Sequence, residues 1–147
     1  AADIMQINYG EIDAVANKVD CFFAGMCQLG ASNGPGFGWG DMTVFKLGLS
    51  YAYSQNLTLR GGFSTTNQPI SKSQTLFNML APGVIENHLT LGATWATSPT
   101  SEWTVSYMHG FSKKVNGSSS ISAGFGGGNA NLKMYQDSLG IAYGMKF

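Results

Sequence analysis

The sequence predicts an all-β fold, the wall of a transmembrane antiparallel β-barrel, and three observations carry the prediction. Apolar residues alternate with small polar ones through several segments, charge is sparse, and long connections take turns with tight ones. Such alternation over four to eight residues or more marks a strand with two different faces.

A first, less regular strand is expected at residues 4–12, with Met5, Ile7 and Tyr9 on its apolar side. Over residues 43–53, Phe45, Leu47, Leu49, Tyr51 and Tyr53 oppose Val44, Lys46, Gly48, Ser50 and Ala52. Over residues 57–65, Leu57, Leu59, Gly61 and Phe63 oppose Thr58, Arg60, Gly62 and Ser64. Residues 88–96 set Leu89, Leu91, Ala93 and Trp95 against His88, Thr90, Gly92 and Thr94. Residues 102–111 set Trp103, Val105 and Tyr107 against Glu102, Thr104, Ser106 and Met108. In the last strand Leu139, Ile141, Tyr143, Met145 and Phe147 oppose Ser138, Gly140, Ala142, Gly144 and Lys146.

The polar rows separate a membrane barrel from a soluble sandwich. A sandwich carries many Lys and Glu on its outward row. Here that row is mostly Gly, Ser and Thr, with an isolated Lys46, Arg60 or His88. Small uncharged side chains suit a barrel lumen, which leaves the apolar row to face lipid. Tyr53, Trp95, Trp103 and Phe147 stand at strand ends, where aromatic girdles meet the headgroups. Tight turns at residues 54–56 and 97–101 alternate with long connections at 13–42, 67–87 and 112–131. Outer-membrane barrels have short periplasmic turns and long extracellular loops. A periplasmic C-terminus would put all three long loops outside.

Composition excludes other classes. Only 11% of the 147 residues are charged and the formal net charge is zero, which argues against nucleic acid. No run of eighteen apolar residues exists, so a transmembrane helix is not expected. The apolar row of Leu139, Ile141, Tyr143 and the terminal Phe147 has the form of the signal read by the outer-membrane barrel assembly machinery. Six strands are fewer than the eight or more of single-chain barrels. An open sheet would leave unpaired edges in hydrocarbon, so other copies or the rest of a longer chain must complete it. The lack of an initiator methionine and leader favours the longer chain, of which residues 1–147 form the C-terminal part. Cys21 and Cys27, six positions apart, fit a small disulfide loop in an oxidising compartment, with two unpaired thiols as the alternative.

Several stretches resemble the FadL/TodX group of outer-membrane transporters for long-chain fatty acids and other hydrophobic compounds. They are Gly34-Pro35-Gly36-Phe37-Gly38-Trp39, Lys46-Leu47-Gly48, Leu57-Thr58-Leu59-Arg60-Gly61-Gly62-Phe63 and Leu80-Ala81-Pro82-Gly83-Val84-Ile85-Glu86-Asn87-His88. Ser106-Tyr107-Met108-His109-Gly110 and Met134-Tyr135-Gln136-Asp137-Ser138-Leu139-Gly140 continue the resemblance. It implies the last six strands of a fourteen-stranded barrel, with an N-terminal hatch and the earlier strands outside this chain. It further implies passive transport of fatty acids or hydrocarbons, captured among the loops and released through the wall. Partners would be membrane lipid, a hydrophobic small molecule and the remaining barrel, with no cofactor and no catalytic step. In some members a lysine near the first long loop helps bind the carboxylate. Residues 32–40 here hold neither Lys nor Arg, which is compatible with a neutral substrate.

The candidate ligand contacts are the lumen-row cations Lys46 and Arg60, with Lys146, and the apolar loop residues Phe77, Met79, Leu80 and Ile85. A cation in an apolar channel can meet a carboxylate through charge-assisted hydrogen bonds. The plainer expectation is that these cations pair with carboxylates of other strands. The apolar loop, with Leu76 and Val84, is expected to pack over the lumen rather than capture substrate directly. Phe22, Phe23 and Met26 pose the same choice. Gly124-Phe125-Gly126-Gly127-Gly128 lacks the Lys-Ser/Thr pair of a phosphate loop and reads as a loop tip. His88, His109, Glu102 and Asp137 could be drawn into a hydrolase triad, but no nucleophile elbow occurs and no metal set is spaced for ligation. A structural or adhesive barrel assembled from several chains is the alternative function, and a soluble lipid-binding sandwich a third.

Overall fold

The computed structural model describes residues 1–146. Six strands run in one antiparallel sheet in the order β1-β2-β3-β4-β5-β6. They are β1 Ala2–Ile7, β2 Met42–Ala52, β3 Leu57–Thr66, β4 Asn87–Ser98, β5 Ser101–Asn116 and β6 Asn131–Met145. Each strand pairs with its neighbour in sequence, as tight turns and single-crossing loops require. The described sheet is open, with β1 and β6 at its edges.

Directly paired residues send their side chains to the same face, so the register assembles rows across the sheet. One face carries Leu49, Gly61, Leu91, Tyr107 and Leu139, and below them Tyr51, Leu59, Ala93, Val105 and Ile141. Many of these are well exposed, Leu49 at 74% and Leu139 at 71%, where a soluble protein would bury them. The other face carries Ser50, Arg60, Gly92, Ser106 and Gly140, and beside them Gly48, Gly62, Thr90, Met108 and Ser138. The expected two-faced wall is therefore present: an apolar outer face and an inner face of small groups. At the short-turn end of the outer face, Trp95 pairs with Trp103 and Trp103 with Tyr143, the last two rings 4.8 Å apart. Such a row matches an interfacial girdle.

Two details differ from expectation. β1 ends at Ile7 and gives way to a 3-10 turn at Tyr9–Glu11. Its pairing puts Ile4 opposite Phe45, on the outer face, and Met5 and Ile7 opposite Val44 and Met42, on the inner one. β5 also continues past Phe111 to Asn116 and β6 begins early, at Asn131, with a slip in their register between Gly110 and Lys113. The bulge adds one residue to β5 and inverts its faces. Beyond it Val115, not its neighbours, points inward to pair with Leu132.

The buried core lies at the long-loop end of the sheet, where the second long connection meets β5 and β6. Ile70, Val84, Val115 and Leu132 form it, with Trp39 and Met134 packed against them. Burying each such aliphatic side chain is worth about 1.5–3 kcal/mol. So the second loop, at residues 67–86, folds onto the extended tops of β5 and β6.

Candidate functional site

The inner face of the sheet forms a hollow of about 670 Å³. Its floor is built from Gly48, Gly62, Gly92, Ser50, Ser64, Thr90, Thr104 and Ser106, and small side chains are what leave the space. A Cβ on Gly62 would stand 2.7 Å from the Thr90 hydroxyl, and one on Gly140 would stand 2.6 Å from that of Ser106. A larger residue at Gly62 would fill the hollow.

Lys46 and Arg60 both line this space. The Arg60 guanidinium donates to the Thr94 hydroxyl at 2.6 Å, and Thr94 in turn shares a hydrogen bond with Thr104 at 2.9 Å. Among the described residues, neither cation forms an ion pair, although Asp3 stands opposite Lys46 across the β1–β2 ladder. Pairing with carboxylates of the described strands, the plainer expectation, is thus not found here. The arrangement can receive an anionic or dipolar group at one end of an otherwise uncharged molecule.

The remaining candidate residues do not join that site. Phe77 packs its ring 5.2 Å from Phe37, and Ile85 is buried against Gly110, which has no side chain to obstruct it. Met79 and Leu80 lie at the loop tip, 60% and 77% exposed. Lys146 lies by the tight turn, its N–H bonded to the Thr100 carbonyl, and lines a separate, smaller depression there. Cys21 and Cys27 are joined by a disulfide. Within that loop Phe22 and Met26 are exposed, and Phe23 meets Phe125 edge-on at 5.3 Å. Leu139, Ile141 and Tyr143 occupy the outer face of β6, and Phe147 lies outside the described residues.

Above the hollow, buried polar side chains knit the long loops together. Gln74 accepts from the Val19 N–H at 2.9 Å and donates to the Asp20 carboxylate at 2.9 Å. Asn78 accepts from the Trp39 indole at 2.6 Å and donates to the carbonyls of Phe37 and Gln74 at 2.7 and 2.8 Å. The Thr75 hydroxyl donates to the Ala130 carbonyl at 2.7 Å. Glu86 and Lys113 form an ion pair beside them. Gly38 sits at φ +64°, and a Cβ on it would strike Gln74 at 2.6 Å, so glycine is needed on both counts. Sequence reading passed over Gln74, Thr75 and Asn78. Their only signal was that they stand beside the apolar residues Leu76, Phe77, Met79 and Leu80.

His109 and Asp137 do meet, at 2.7 Å, and the Tyr107 hydroxyl donates to the same carboxylate oxygen at 2.6 Å. This cluster is on the outer face, and among the described residues no serine hydroxyl is hydrogen-bonded to His109.

Up-and-down antiparallel strands, an apolar outer face and a small-residue inner face under a loop cap define the wall of a transmembrane β-barrel. The chain is similar in structure to the P. putida toluene transporter TodX, with a TM-score of 0.60 and 16% identity. The match covers 99% of this chain and 30% of that one, so the chain spans less than a third of the transporter's length. The likeness is one of fold. No family model and no curated sequence matches the chain.

Proposed function

We propose that this chain is part of an outer-membrane barrel that passes hydrophobic molecules, with the long loops outside and the tight turns in the periplasm. The observation that carries the reading is the inner hollow, floored by Gly, Ser and Thr, lying under a cap that exposes Phe22, Met26, Leu29, Met79, Leu80 and Phe125. Exposed apolar side chains gathered on a loop cap give a hydrophobic molecule a place to leave water. The smooth, weakly charged wall beneath would let it move without a deep energy minimum. The structural likeness to a toluene transporter supports the same reading. The six strands would be completed by further strands of the same barrel, assembled by the outer-membrane machinery. Transport would be diffusive, down a concentration gradient, with affinity from apolar burial at about 25 cal/mol per Å². The substrate is a compact hydrocarbon or a long-chain acid, the latter with its carboxylate toward Lys46 and Arg60.

Uptake into liposomes carrying the intact barrel tests this. A hydrophobic dye or aromatic hydrocarbon should enter faster than into empty liposomes, while a small sugar should not. Equal entry of both would mean a water-filled pore, and entry of neither would favour a structural or adhesive barrel.

A further inference from the structure

The bulge between Gly110 and Lys113 has a second effect, at the outer surface. It turns Lys113 inward to Glu86 and Val115 into the loop core. Lys114 is thereby left on the outer face, directly opposite Lys133 of β6 in the same ladder. Like charges facing each other across a ladder repel and destabilise it. Both side chains are exposed, and among the described residues neither forms an ion pair. The nearest outward acid along β6, Asp137, is already held by His109 and Tyr107. It lies about 13 Å from Lys133 along the strand at 3.3 Å per residue.

The height of the pair says what could neutralise it. Tyr143 marks the short-turn girdle, and Tyr135 is the outward aromatic at the other end, 65% exposed. They are separated by about 26 Å along the strand, or about 20 Å of membrane depth at a tilt near 40°. That is close to the apolar height of a barrel wall. Lys133 is the next outward residue above Tyr135, and Phe111 lies with His109 beside it, their rings 4.8 Å apart. So two unneutralised ammonium groups sit at headgroup level, immediately above aromatic and aliphatic surface. Asn116 and Asn131 form the next pair above, adding amides.

We propose that Lys114 and Lys133 bind the phosphorylated headgroup of a lipid in the leaflet on the long-loop side. Its acyl chains lie down the outer face past Phe111, Tyr135 and Leu139. A lipid suits the site better than a soluble anion because the membrane holds its phosphate at this height while its chains cover the apolar rows. The inference depends on the membrane-barrel reading and not on transport.

The test is native mass spectrometry of the intact barrel in zwitterionic detergent, titrated with lipid A as the diphosphorylated probe and phosphatidylcholine as the zwitterionic one. The wild type should retain lipid A, and Lys114→Gln/Lys133→Gln should bind it about thirtyfold more weakly, the order expected for two lysines at an anionic surface. Lys18→Gln, in the first loop, should bind as the wild type does. Thermal melts in detergent alone should leave the double variant as stable as the wild type or more so. Unchanged lipid A occupancy in the double variant, or equal retention of phosphatidylcholine, would overturn the proposal. So would a double variant that is destabilised without lipid, since a protein carboxylate would then be the partner.

Discussion

The side-chain carbonyl of Gln74 accepts the backbone N–H of Val19, so a residue of the second long loop completes the hydrogen bonding of the first. Both residues are buried, and the Gln74 amide nitrogen continues the link to Asp20.

Replacing Gln74 with alanine leaves the Val19 N–H without its partner and opens space beneath Gly38. A buried donor left unpaired costs about 1–3 kcal/mol. Hydrogen exchange at Val19 should accelerate by about thirtyfold for a loss near 2 kcal/mol, while β3 and β4 amides keep their protection. Unchanged exchange at Val19 would mean that the loops are held by apolar packing alone.

Arg60 and Lys46 separate substrate classes. If an acid group meets them, Arg60→Met and Lys46→Ala should each weaken binding of a long-chain fatty acid by about tenfold or more, the worth of a charge-assisted hydrogen bond. Binding of a neutral hydrocarbon should hardly move. Equal losses for both ligands, measured by calorimetry in detergent, would show that the cations act on the wall rather than on the substrate.

The two faces make opposite demands on charge. Leu139→Arg places a cation on the lipid-facing row and should cost about 2–4 kcal/mol if it lies near the bilayer midplane. Thr90→Lys, on the inner face, should cost much less. Urea titration of the folded barrel in vesicles reads both, and similar losses would contradict the assigned faces.

The Cys21–Cys27 link closes a small loop, which limits its stabilisation to roughly 2 kcal/mol. Cys21→Ser/Cys27→Ser should expose Phe22 and Phe23 to chymotrypsin, with the Phe23–Phe125 contact weakened. Strand content by circular dichroism should stay constant. A barrel that fails to assemble would place the bridge on the folding path rather than at the loop tip.

The strands were legible because a strand with one face in lipid and one in a lumen writes a two-residue period into its side chains. β2 and β3 follow that period without interruption and β4 follows it as far as Ala96, and their observed limits differ from expectation by a residue or two. β5 hid its upper half because the bulge shifts the period by one, and Lys113-Lys114 then resembled a solvated loop. β1 misled for a different reason. Ile4, Met5 and Ile7 put apolar residues on both faces, and only pairing with Phe45 and Val44 decides between them. The hollow was legible as a row of small residues with Lys46 and Arg60 in it. The loop core was not, since its ties run between segments far apart in sequence, such as Asn78 to Phe37 and Thr75 to Ala130.

Those ties share a property. Gln74 accepts from a backbone N–H, Asn78 donates to a backbone carbonyl of the first loop, and Thr75 donates to one of the third. These three partner atoms belong to the main chain: carbonyls that every residue type supplies, and an N–H that every type but proline supplies. A few fixed polar residues in one loop can therefore hold the other two in place while the exposed tips of those loops change composition. Such a barrel can alter what it meets at its mouth without rebuilding the mouth.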